Sequence, residues 1–222
     1  MKKGILITFE GGEGCGKSTH SNAFCNYLQK RGYKVLHTRE PGGTPLSEEI
    51  RKLVKDPQYL NKTAETELLL FEAARAEICK EILFPALKEG NIVVLDRFFD
   101  STTAYQGYGR GLNIEVVNTL NKFATKGLTP DMTIYLSIDP EVAFRRKGGA
   151  EQNDAMELQS MEFHNRVKKG FDEIAKENAD RFVVIKSDDE MESVQAQIIQ
   201  VFEERYGENK DIQTNAIISR HN

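Results

Sequence analysis

The residues best suited to chemistry come early in the chain. In Glu10-Gly11-Gly12-Glu13-Gly14-Cys15-Gly16-Lys17-Ser18-Thr19, Gly11, Gly16, Lys17 and Ser18 occupy the fixed positions of the pattern G-x-x-x-x-G-K-[ST]. A phosphate chain needs many N–H donors and little side-chain bulk. Glycines let the backbone curl so that successive N–H groups converge, and the start of a following helix adds its dipole. In such a loop Lys17 reaches the β- and γ-phosphates and the Ser18 hydroxyl ligates Mg²⁺. Further on, the apolar run Ile92-Val93-Val94-Leu95 ends in Asp96-Arg97. A carboxylate at the C-terminal end of a buried strand can hold Mg²⁺ beside the phosphates. Taken alone, Asp96-Arg97 also fits a local ion pair.

Three further groups are candidates. Arg39 and Arg97 each stand just past an apolar run. Two guanidiniums beyond the loop lysine exceed what one triphosphate requires and point to a second phosphate, which arginine binds in a bidentate way; singly, each also fits a surface arginine. Phe71 and Arg75 are spaced i, i+4, so on a helix they share a face. That face can stack on a base and donate to its carbonyl, or Phe71 can be plain core. Ser101 and Gln106 lie in a run of hydroxyls and amides, Asp100-Ser101-Thr102-Thr103-Ala104-Tyr105-Gln106-Gly107. Gln106 offers a donor and an acceptor to a base edge; Ser101 alternatively caps a helix.

These residues need a frame that gathers them. Ile5-Leu6-Ile7-Thr8-Phe9 reads as a buried strand, and a helix is expected over 17–31, stopped by Gly32. Strands are also expected at 34–38, 92–95, 132–138 and 181–186. The wholly apolar run 92–95 reads as the sheet centre. Helices are expected from Ser47, over 64–88 with a kink at Pro85, over 114–126, from Pro140, and over 157–178 and 190–206. Strands alternating with helices imply βαβ units and a parallel sheet, and ligands gather at its C-terminal edge. Gly148-Gly149-Ala150-Glu151-Gln152-Asn153-Asp154-Ala155 is small and polar and reads as a mobile loop, and 207–222 as a frayed, flexible tail.

Composition narrows the partners. The chain has 222 residues, enough for one domain with helices on both faces of a sheet. Thirty basic against 34 acidic residues give a net charge of −4, so no global field attracts nucleic acid. No run of membrane-spanning length and no secretory leader is seen. Cys15, Cys25 and Cys79 show no metal or disulfide spacing, which fits a reducing cytoplasm. A group attached to Cys15 would occupy the phosphate space.

The run Phe-Glu-Gly-Gly-Glu-Gly-Cys-Gly-Lys-Ser, then Thr38-Arg39-Glu40-Pro41-Gly42-Gly43-Thr44, then Asp96-Arg97-Phe98 with Ser101-Thr102-Thr103-Ala104-Tyr105-Gln106-Gly107, resembles the thymidylate kinases over about 1–206. The resemblance implies an α/β P-loop NTPase fold of the nucleoside monophosphate kinase type, three-layered, with a five-stranded parallel sheet and a lid at about 141–157. It implies phosphoryl transfer from ATP to dTMP with Mg²⁺, in a cytoplasmic homodimer. Gly11, Gly12, Glu13, Gly14, Cys15, Gly16, Lys17, Ser18 and Thr19 would hold the ATP phosphates, and Glu13 would also face the acceptor's 3′-hydroxyl. Arg39 and Arg97 would grip the monophosphate, and Asp96 would position Mg²⁺. Phe71 would stack on thymine, Arg75 would donate to O4, and Ser101 and Gln106 would complete base recognition. Tyr105 would crowd the 2′ position. Adenine would lie near 187–190.

One departure stands out. The family carries a catalytic arginine in the P-loop or in the lid, and the P-loop position is Gly14 here. The lid's usual Asp-Arg-x-Glu reads Asp154-Ala155-Met156-Glu157. Arg145, Arg146 and Lys147 remain, and Arg146 is the expected source of the cation. Three other functions compete. A GTPase lacks support, because Asn61-Lys62-Thr63-Ala64 and Asn121-Lys122-Phe123-Ala124 both miss the aspartate of the guanine-reading run. A kinase for another monophosphate such as dUMP differs by one methyl group. A catalytically weak nucleotide-binding protein is the third.

Overall fold

The computed structural model describes residues 4–146 and 155–207. All but Ala155 of the loop expected at 148–155, and all but Gly207 of the expected tail, lie outside the described residues.

Five parallel strands form one sheet: β1 (Ile5–Glu10), β2 (Val35–Arg39), β3 (Ile92–Asp96), β4 (Met132–Ser137) and β5 (Phe182–Lys186), in the order β2-β3-β1-β4-β5. The middle strand is β1; β3, expected there, is interior beside it. Both are wholly or nearly wholly buried because helices cover both faces. Alternation along β1 divides the core. Ile5, Ile7 and Phe9 pack with Phe24, Leu28, Ile198 and Phe202, while Leu6 packs with Ile78, Leu83, Val93 and Phe98. The first set lies under helices α1 (Lys17–Lys30) and α9 (Met191–Tyr206), the second under α3 (Ala64–Ile78) and its continuation.

Local rules set the remaining elements. Helix α2 (Pro45–Lys55) starts at Pro45 with Thr44 as its cap, not at Ser47, because proline's fixed φ suits the first helical position. The Ser47 hydroxyl instead donates to Ala74 O at 2.9 Å and ties α2 to α3. The kink expected at Pro85 is taken up by a π-turn, Cys79–Leu83, which leads into α4 (Phe84–Lys88). A proline ring clashes with the carbonyl four residues back, and a π-turn just upstream shifts that carbonyl away. Helix α5 (Phe99–Thr102) likewise runs into a π-turn, Thr103–Gly109. Then come α6 (Ile114–Thr125), α7 (Pro140–Arg146) and α8 (Met161–Glu177), the last capped by Ser160.

Candidate active site

The register aligns the chemistry at one sheet edge. Asp96 of β3 lies opposite Phe9 of β1 on one side and Arg39 of β2 on the other. The chain leaves β1 into the phosphate loop, where Gly11 has φ 143° and its missing side chain would stand 2.6 Å from Leu136 O. The loop enters α1 through Gly16, at φ 90°, with no side-chain cap. By contrast, Thr44, Thr63, Asn113 and Ser160 cap α2, α3, α6 and α8. A glycine entry keeps side chains away from the first-turn N–H groups, as an anion site requires. Lys17 is buried and its ammonium donates to Gly11 O at 3.1 Å and Gly12 O at 2.6 Å. Cys15 is buried too, its Sγ 3.5 Å from that ammonium.

Ser18 Oγ donates to Asp96 Oδ2 at 2.5 Å. Among the described residues no group of three His, Cys, Asp or Glu side chains is placed to hold a metal. One hydroxyl and one carboxylate, both hard oxygens, suit a small cation that keeps most of its waters and shares the substrate's phosphates.

A cavity of about 410 Å³ opens from this edge. Of the expected residues, Glu13, Gly14, Gly16, Lys17, Ser18, Thr19, Arg39, Phe71, Arg75, Asp96, Arg97, Ser101, Tyr105 and Gln106 line it. Arg97 is its hub. Nη1 donates to Gly11 O and Ser101 Oγ, both at 3.1 Å, and Nη2 to Glu13 at 2.6 Å and Tyr105 Oη at 3.3 Å. The guanidinium also lies over the Tyr105 ring, 5.0 Å from its centroid, and Tyr105 Oη is 3.0 Å from Glu13 Oε1. Burial raises the Tyr105 phenol well above its ordinary value, an effect Arg97 only partly offsets. Tyr105 therefore stays a neutral donor at any working pH.

At the far end Arg75 is fully buried. Its Nε donates to Glu40 at 2.9 Å, Nη1 to Glu72 at 2.6 Å and Asn121 at 3.1 Å, and Nη2 to Thr102 at 2.9 Å. Nη2 is also 2.8 Å from Glu40. Donating to a base carbonyl thus means sharing or exchanging one of these contacts. Burial raises Glu40's carboxyl to about 7, against the pull of Arg75. Gln106 is buried and donates to Glu67 at 2.8 Å, which leaves its carbonyl as the acceptor. Ser101, expected as a possible helix cap, caps nothing; α5 has no side-chain cap.

Sequence reasoning passed over one wall. Arg51, Val54 and Lys55 of α2 line the cavity, as do Met156 and Glu157. The spacing of Arg51 and Lys55 was a legible signal for a shared helix face. The Ala155 N–H donates to Lys55 O at 3.0 Å, so the segment leading into α8 rests on α2. Arg39 is half exposed and paired with Glu48 at 3.0 Å. Arg146 does not line the cavity. It is exposed, and its guanidinium donates to the carbonyls of Ser187 and Asp188 and, at 3.5 Å, of Asp189. Gly14, at φ 73°, abuts Ala143 of α7.

Fold and site together define the P-loop nucleoside monophosphate kinase class. A family model described as thymidylate kinase matches residues 9–198. Among relatives, the thymidylate kinase of Thermoanaerobacter sp. (strain X514) is 45% identical over 199 residues, covering 90% of this chain and 97% of its own. That of Chlorobaculum tepidum is 46% identical over 190 residues, covering 82% and 88%. The crystal structure of thymidylate kinase from Ehrlichia chaffeensis aligns with a TM-score of 0.75 at 36% identity, covering 90% of this chain and 99% of that one. The chain belongs to the thymidylate kinase family.

Proposed function

We propose that this chain transfers the γ-phosphoryl of ATP to dTMP, giving ADP and dTDP, with the residue roles that follow. The observation that carries the reading is the Arg97 hub. It joins Gly11 and Glu13 of the phosphate loop to Ser101 and Tyr105 of the acceptor wall in one cavity. Donor and acceptor phosphates meet where one guanidinium serves both sides.

The ATP phosphates lie on residues 11–19, and Lys17 exchanges loop carbonyls for phosphate oxygens. Ser18 and Asp96 hold Mg²⁺, which when bound neutralises phosphate charge. Arg97 and Arg39 grip the acceptor phosphate. Glu13 faces the sugar, Tyr105 crowds its 2′ position, Phe71 stacks on the base, and Arg75, Ser101 and Gln106 read its edge. Arg146 supplies the lid cation by leaving the loop after β5 when the lid closes. Catalysis is positioning and charge neutralisation, with closure excluding water.

Among the described residues no helix is long and apolar enough to cross a membrane, and all three cysteines are buried and free. Both features support a cytoplasmic enzyme. Leu69 of α3 and Val116 and Phe123 of α6 are 57%, 54% and 81% exposed on packed neighbouring helices, which supports a homodimer through that face.

A second reading, a nucleotide binder with little turnover, has one observation behind it: residue 155 is a buried alanine seated on α2. Incubation with Mg·ATP and dTMP, dUMP, UMP, CMP, AMP or GMP separates the two. Fast dTDP formation, about 10- to 200-fold weaker dUMP turnover and no ribonucleotide product are expected. Tight dTMP binding with almost no dTDP favours the binder.

A further inference from the structure

Arg97 has φ 69°, in the left-handed region, where a residue with a side chain is strained. Such a residue persists only where its surroundings over-determine it. On its N-terminal side, its own N–H donates to Phe9 O at 3.0 Å. On the other side stands Glu10, the last residue of β1, fully buried and outside the cavity lining. Its carboxylate accepts the Phe98 N–H at 2.8 Å, the Ser101 N–H at 3.4 Å and the Ser101 hydroxyl at 2.5 Å. Ser101 Oγ in turn accepts from Arg97 Nη1 at 3.1 Å. One carboxylate therefore fixes the backbone next to Arg97 and also turns the Ser101 hydroxyl so that its lone pair faces the guanidinium.

We propose that Glu10 is the positioning residue of Arg97, holding its left-handed backbone through Phe98 and its guanidinium through Ser101. Glu10 touches no substrate in this arrangement. It acts on the acceptor phosphate only through Arg97, so the proposal rests on the role given above to that arginine. Burial and the nearby Asp100 raise Glu10's carboxyl to about 8, which the Ser101 and Phe98 donors and Arg97 oppose, so the carboxylate that accepts the Ser101 hydroxyl prevails above that pH.

Glu10→Gln separates the two functions of the carboxylate. The amide carbonyl still accepts the two N–H groups, but its NH₂ faces Ser101 Oγ, which then receives donors from both sides. The dissociation constant of dTMP, measured by calorimetry at about pH 9 where Glu10 is a carboxylate, is expected to rise about tenfold, with the ATP constant unchanged and the melting temperature only slightly lower. Ser101→Ala breaks the same link, and adding Glu10→Gln to it is expected to weaken dTMP no further. A merely structural Glu10 would not produce that non-additivity. Should Glu10→Gln fail to fold, Glu10→Asp, one methylene shorter, carries the same expectation. A dTMP constant within twofold of the unmodified protein's, or additive effects in the double variant, overturns the proposal. Absence of dTDP formation by the unmodified protein fails the functional reading instead, and the binding constants still decide this one.

Discussion

The buried interior of the cavity and the exposed edge around it hold their arginines in opposite ways. In the interior, Arg75 and Arg97 each bond to four different residues, with carboxylates, amides, hydroxyls and carbonyls among them. At the exposed edge, Arg146, outside the cavity lining, rests on a few backbone carbonyls of one loop and Arg39 on a single half-exposed carboxylate. An exposed pair like Arg39–Glu48 contributes about 0–1 kcal/mol and is easily exchanged. A buried guanidinium wired to several acceptors is set before any ligand arrives, as electrostatic preorganisation requires. The difference suggests a division of labour: interior guanidiniums fixed in advance, and a movable set of exposed ones that can exchange partners.

The hardest blow to this contrast is Arg97→Gly. Glycine takes φ 69° without penalty, so the backbone loses strain while the hub disappears. A loss of about a thousandfold in kcat/KM for dTMP is expected, at the scale of a phosphoryl-binding arginine. Stability should be unchanged or slightly higher by thermal melting. A variant that loses stability as well as activity would mean that the hub holds the fold and not only the substrate.

What could be read in advance follows the same division. The phosphate loop is local, since all its residues lie within ten positions, and the strands are short apolar runs; both survive without tertiary information. Phe71 and Arg75 were placed on one face by helical spacing, and both line the cavity. The saturation of Arg75 was not legible, because its partners Glu40, Glu72, Thr102 and Asn121 come from four parts of the chain. Glu10 reads as the first letter of the loop, and only the fold turns it away from the phosphates toward Phe98 and Ser101. Ser101 looked like a helix cap because capping is a local signal, whereas its hydroxyl is taken by a residue 91 positions away.

Arg146→Ala tests the movable half. If Arg146 supplies the lid cation, kcat falls by about tenfold to a thousandfold, toward the range seen for arginine fingers, and KM for dTMP changes little. If its bonds to the loop after β5 are its whole function, KM for ATP rises and kcat is retained, and the cation must come from elsewhere in the cavity wall. Single-turnover and steady-state assays distinguish these outcomes.

The smallest effect expected is in stability against pH, and it too should divide by region. Burial raises Glu40 to about 7 and Glu10 to about 8, so above the ordinary carboxylate range the folded chain binds protons that the unfolded chain has released. Stability from these two groups therefore falls as pH rises from about 4.5 to about 8. Burial lowers His37, which acts in the opposite sense below about 6.5. The clean window is thus pH 7 to 8.5. A fall of about 1 kcal/mol per pH unit, or about 2–4 °C in melting temperature for a domain of this size, is expected there. Glu40→Gln should flatten the lower part of that slope. Arg146→Ala, on an exposed side chain bonded to neutral carbonyls, should leave it untouched. A slope that Arg146→Ala alters, or that Glu40→Gln does not, would place the pH-sensitive charge in the movable half and undo the contrast.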